Sequence, residues 1–307
     1  MPDIKSLLVD YLNYLEVEKN YSPKTRENYG RYLSLFLKKT NAKNPKDLSL
    51  SSIQDFRLFL ARQKNKKGEP FKKSTQSYYI IALRNFIRYL RIHDIQGIAV
   101  EKIELPKTPM RQIDIIHYED MERLLRAPEG RTDIRSLRDH AILETLFSTG
   151  LRISELCSLD RYIDLHRGEI SVRGKGNKLR VVFLSENAKH LIKKYLEKRG
   201  DPDPALFVSI GKAKVPKILG RITPRAIQRL LITWAKKAGI DRRVTPHQLR
   251  HQFATDLLMN GADLRSVQEL LGHQNISTTQ VYTHVTNKAL REIHTTFHGR
   301  RRKSPRT

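Results

Sequence analysis

Pro106 and Pro109, three residues apart in Leu105-Pro106-Lys107-Thr108-Pro109, do most to limit what this chain folds into. Each fixes φ and removes a backbone donor, so neither a helix nor a sheet ladder runs through the segment. It therefore predicts a linker over residues 105–112, between a unit at 1–104 and a second at 113–298, with a tail at 299–307. At 307 residues the chain is long enough for each unit to bury its own core.

Before the linker the apolar pattern is helical throughout. Leu7, Leu8, Tyr11, Leu12 and Leu15 form one stripe. Ser22-Pro23 reads as an N-cap with proline at the first helical position, and the stripe Tyr29, Tyr32, Leu33, Phe36 and Leu37 follows. Ser51 or Ser52 is expected to open a third helix carrying Ile53, Phe56, Phe59 and Leu60. A fourth runs through Tyr79, Leu83, Phe86, Ile87 and Leu90. Beyond the linker the period changes once: Glu169–Arg173 and Lys178–Leu184 read as strands around Gly174-Lys175-Gly176-Asn177, a β-hairpin. Helices are expected over Arg138–Ser148, ending at Gly150 as a left-handed cap, and over Thr223–Ala238. The fold class is mainly α, with a small β-hairpin in the second unit.

The charge is +26, and it is spread along the chain. Residues 1–110 hold 21 Lys and Arg against 11 Asp and Glu, leaving 37 against 21 for the remainder. A polyanion is the partner this implies, touched by both units, although a merely solvated basic surface has the same composition. Lys66, Lys67, Lys72 and Lys73 cluster around a polar loop as a candidate phosphate grip; a solvated loop is the alternative. The single cysteine, Cys157, excludes an intramolecular disulfide and a multi-cysteine zinc site, and its apolar helix predicts a core position. No run reaches the roughly 18 apolar residues of a membrane span and the N-terminus lacks a signal-peptide pattern, so a soluble, cytoplasmic protein is expected.

Several residues have the chemistry of phosphodiester exchange. Arg152 sits where a helix begins, which opposes the helix dipole unless an anion or a carboxylate such as Glu155 is beside it. Lys175 occupies the hairpin tip, as a candidate proton donor, a phosphate contact or an ordinary turn lysine. His247 and Arg250 are three apart and share a helix face. His247 and His251 have zinc-pair spacing, but Gln248 stands where a metalloprotease has its glutamate, so no metal is expected. Arg250 offers a planar fork for two phosphate oxygens. His273 follows a Leu-Gly helix end, and Tyr282 lies nine residues on. Taken singly, His273 and Tyr282 read equally as a helix-end histidine and a packing tyrosine.

In order, Gly150-Leu151-Arg152-Ile153-Ser154-Glu155-Leu156, Gly174-Lys175-Gly176-Asn177-Lys178, His247-Gln248-Leu249-Arg250-His251, Leu270-Leu271-Gly272-His273 and Ser277–His284 resemble the tyrosine recombinases, most closely their Xer branch. The resemblance implies a SAM-like helical core-binding domain and a tyrosine recombinase catalytic domain, forming a two-domain C-shaped clamp on DNA. It implies that Arg152 and Arg250 hold the scissile phosphate and that Lys175 protonates the departing 5′-oxygen. His247 is then placed for proton transfer with the nucleophile, His273 hydrogen-bonds the phosphate, Tyr282 is the nucleophile, and Glu155 supports Arg152. The implied partners are a double-stranded recombination site, further protomers in a homotetramer or a heterotetramer with a paralogous recombinase, and a DNA translocase or accessory DNA-binding protein. The same likeness implies a nucleoid-associated location.

No cofactor is implied. An ester that is exchanged rather than hydrolysed is resealed without ATP or metal, and the chain has neither a P-loop nor a carboxylate cluster suited to Mg²⁺. Two other readings share parts of this pattern: a type IB topoisomerase relaxing supercoils, and a DNA-binding regulator without catalysis. The chain departs from the family in lacking a tryptophan in Asp160–Asp164 and in its longer, more basic tail.

Overall fold

The computed structural model describes residues 3–65, 68–106, 116–174, 179–211, 213 and 217–272. The chain divides into two compact units, residues 1–111 and 112–307.

Among the described residues, the α-helices of the first unit are α1 (Ile4–Val17), α2 (Pro23–Thr40), α3 (Leu50–Arg62) and α4 (Lys73–Ile92). Each contributes one apolar stripe to a common core, in which the Tyr11 ring lies 5.2 Å from both Phe86 and Tyr89. Ser22 caps α2 as its sequence predicts, accepting from the Thr25 N–H at 3.3 Å. The cap of α3 differs from expectation, because Ser49, not Ser51 or Ser52, opens the helix. Ser49 and Ser52 each accept the other's backbone N–H at 3.1 Å, and this reciprocal pairing favours the earlier serine as the cap.

The second unit is built on α6 (Ile134–Thr149), preceded by α5 (Tyr118–Arg126) and followed by the short α7 (Ile153–Ser158). Residues Ala141–Leu146 of α6 are all buried, so the helix is covered on every side. Its partners include α8 (Glu186–Glu197) and α10 (Pro246–Met259). Strands β1 (Glu169–Arg173) and β2 (Leu179–Phe183) form the expected antiparallel pair, with Val172 opposite Arg180. A second, separate two-stranded sheet pairs β3 (Val208–Ile210) with β4 (Ile218–Arg221). Sequence pattern did not reveal this pair, whose strands are only three and four residues long, too short for an alternation of burial to register. Helix α9 (Pro224–Lys237) begins after Thr223, and α11 (Leu264–Leu271) ends the described chain at Gly272. Cys157 is buried as expected, and burial pushes its thiol up to about 11. Among the described residues, no helix is long and apolar enough to cross a membrane.

Candidate active site

Three chain reversals supply the framework. Gly150 ends α6 in the left-handed region at φ +57°, where glycine carries no Cβ penalty. A Cβ there would also overlap the Phe253 ring, with Cε1 at 2.8 Å and Cγ at 3.1 Å. The turn delivers Arg152 as the N-cap of α7. Helix α10 starts at a capping box, in which the Thr245 N–H donates to Gln248 Oε1 at 2.9 Å and Pro246 takes the first helical position. This places His247 in the first turn, exposed, and Arg250 one turn later, only 5% exposed. Asp263 caps α11, which ends at Gly272 with φ +63°.

These reversals converge on the last turn of α11. A helix C-terminus leaves carbonyls without intrahelical partners and carries the negative end of the dipole, so cations are stabilised there. Three arginines from three different elements supply them. The Leu270 carbonyl accepts from Arg180 Nε at 2.9 Å, the Leu271 carbonyl from Arg250 Nη2, and the Gly272 carbonyl from Arg152 Nη2 at 3.0 Å. Arg250 also donates through Nη1 to the Gly150 carbonyl, tying α10 to the turn that presents Arg152.

Glu155 is the hub. Its Oε1 accepts from Arg152 Nη1 at 2.8 Å and Arg180 Nη1 at 2.9 Å, and its Oε2 accepts from the Arg152 backbone N–H at 2.8 Å and Arg180 Nη2 at 2.7 Å. Burial works to raise its pKa, but the Arg180 hydrogen bonds, then those of Arg152 and the Arg180 charge, outweigh it and hold the carboxyl at about 2. Glu155 is therefore ionised, and Arg152 has the carboxylate that its place at a helix start requires.

The structure thus brings Arg152, Glu155 and Arg250 together around adjoining carbonyls, with His247 three residues before Arg250 on the same helix. Lys175, His273 and Tyr282 lie outside the described residues, as do Lys66 and Lys67. Lys72 and Lys73 are exposed at the start of α4 in the first unit. Arg180 is the member of this network that sequence reasoning passed over. The signal was faint: β2 alternates with Val182 inward, which puts Arg180 on the inner face, where a charge needs a partner. The apolar Leu179, Val181 and Phe183 on the outer face hide that alternation.

Residues 115–289 match the phage integrase family, and residues 8–93 match its N-terminal SAM-like domain. The tyrosine recombinase XerD of Listeria monocytogenes serotype 4b is 37% identical, over 97% of this chain and all of that protein. The chain belongs to the phage integrase family. It is a tyrosine recombinase, an enzyme of site-specific DNA recombination. XerC of Escherichia coli O157:H7 is 35% identical over 98% of both chains. The fold is also that of XerH bound to its difH substrate in a post-cleavage complex, with a TM-score of 0.68 at 22% identity, covering 94% of this chain and 83% of that one.

Proposed function

We propose that residues 1–104 are the core-binding domain and residues 113–298 the catalytic domain of a recombinase that cuts and rejoins DNA at a specific double-stranded site. Arg152 and Arg250 neutralise the non-bridging oxygens of the scissile phosphate and favour its five-coordinate transition state, where negative charge grows. A phenol has a pKa of about 10, so Tyr282 needs a proton acceptor as it attacks, and His247 is the candidate. Lys175 protonates the departing 5′-oxygen, and His273 adds a hydrogen bond to the phosphate. The products are a 3′-phosphotyrosyl bond and a free 5′-hydroxyl, with no net loss of ester bonds. Lys66, Lys67, Lys72 and Lys73 contact the DNA backbone.

One observation carries this reading: Arg152 and Arg250, distant in sequence, donate to the neighbouring carbonyls of Gly272 and Leu271, directly before His273. In the full reaction four protomers act on two duplexes through a Holliday junction, as one species or with a paralogous recombinase, on nucleoid DNA. The same chemistry serves chromosome-dimer resolution and mobile-element integration or excision.

A recombination site nicked beside the scissile phosphate tests the reading. The protein should become covalently trapped on it, and Tyr282→Phe should eliminate the adduct while leaving DNA affinity nearly unchanged. An adduct formed by that variant refutes the assignment of the nucleophile. Strand exchange between two sites separates recombination from simple relaxation or from regulation without catalysis.

A further inference from the structure

Arg180 is engaged through its whole guanidinium fork. Its three guanidinium nitrogens are spoken for: Nε by the Leu270 carbonyl at 2.9 Å, Nη1 and Nη2 by the two Glu155 oxygens at 2.9 and 2.7 Å. The side chain is 10% exposed, against 29% for Arg152. A fork bound this way is oriented toward protein, whereas Arg152 keeps an accessible edge.

Its location matters as much as its bonds. Arg180 lies on β2, the strand that follows Lys175 in the sequence, and it reaches both Glu155 of α7 and the end of α11. The approach to α11 is close: a Cβ on Gly272 would meet Arg180 Cδ at 3.0 Å and Nε at 3.3 Å. One side chain thus joins the strand after Lys175, the carboxylate beside Arg152, and the turn before His273.

We infer that Arg180 is a positioning residue for strand cleavage, which sets the Arg152 guanidinium through Glu155 and ties the hairpin strand to the last turn of α11. A buried ion pair kept only for stability has no need of this arrangement, since well-packed apolar residues replace such pairs at little cost. Here the carboxylate is shared by two arginines, and its second oxygen also holds the Arg152 backbone N–H. Removing Arg180 leaves a buried carboxylate with half its donors, free to rotate and to drag the Arg152 side chain with it. Lysine is a poor substitute, because one ammonium cannot span both carboxylate oxygens and the Leu270 carbonyl.

The inference rests on the assignment of Arg152 to the scissile phosphate, and one experiment separates the two. Single-turnover cleavage of the nicked site is measured for the parent, Arg180→Lys, Glu155→Gln and the double variant, with DNA affinity, its salt dependence and thermal unfolding alongside. Misplacement of a phosphate-binding group by about 1 Å costs roughly 100-fold in rate, so R180K should cleave roughly 100-fold more slowly with DNA affinity within about threefold of the parent. The double variant should be slower than E155Q alone by far less than 100-fold, because the two changes act mainly through one group. Independent, multiplying losses overturn the proposal, as does a salt slope reduced by about one in R180K, the mark of a direct phosphate contact. Should R180K fail to fold, Arg180→Gln, which keeps an uncharged amide NH2 as donor, is measured in the same cycle. A parent protein that forms no adduct refutes the recombinase site itself; a normal parent with an equally fast R180K refutes only the role of Arg180.

Discussion

Replacing Gly150 with alanine should damage the site without touching any charged group, and the size of the damage can be worked out in two parts. The residue has φ +57°, in the left-handed region, where an L side chain costs about 1–2 kcal/mol. The new methyl would also overlap the Phe253 ring, and forced overpacking of this kind costs about 1–3 kcal/mol. Together, Gly150→Ala should lose about 2–5 kcal/mol of stability in urea unfolding. Cleavage should slow as well, because the Gly150 carbonyl accepts from Arg250 and the turn leads into Arg152. The two parts separate when Phe253→Ala is made first. Against that background the steric part disappears, and G150A should cost only the backbone term of about 1–2 kcal/mol. An equal loss in both backgrounds, or no loss in either, refutes the reasoning.

Three further outcomes are expected. Glu155 is ionised down to about 2 in the folded chain and titrates near 4.5 when unfolded, so it contributes about 3 kcal/mol above pH 4.5 that disappears as pH falls toward 2. Urea unfolding at pH 7 and pH 3 should therefore show a smaller acid loss in Glu155→Gln than in the parent. Affinity for the DNA site should fall by about 1,000-fold or more between 50 and 200 mM salt if six or more phosphates are neutralised, as filter binding or fluorescence anisotropy would report; a flat response counts against the DNA-enclosing reading. Ala289, Leu290, Ile293 and Phe297 recur at helical spacing, an apolar stripe suited to packing into a neighbouring protomer, so deleting residues 286–307 should abolish tetramers on DNA in light scattering.

Much of the architecture was legible because its signals are local. Period-3.6 stripes marked α1 to α4, alternation around a glycine-rich turn marked the β1–β2 hairpin, and Ser22-Pro23 and Gly150 marked helix ends. The short β3–β4 pair escaped because strands of three and four residues carry too few alternations to register. Ser49 was passed over as the cap of α3 because its choice depends on a reciprocal bond with Ser52.

The sequence by itself determined which chemical groups this recombinase has and in what order, since motif spacing within one helix or turn is settled by backbone geometry alone. Only the tertiary structure decided how those groups are held. That Arg152, Arg180 and Arg250 would share the end of α11, and that one buried carboxylate would bind two of them, depends on contacts between residues as far apart as Arg152 and Gly272. Such pairings are set by which faces are buried and which carbonyls lack partners at a helix end, and neither is written in any single stretch of chain.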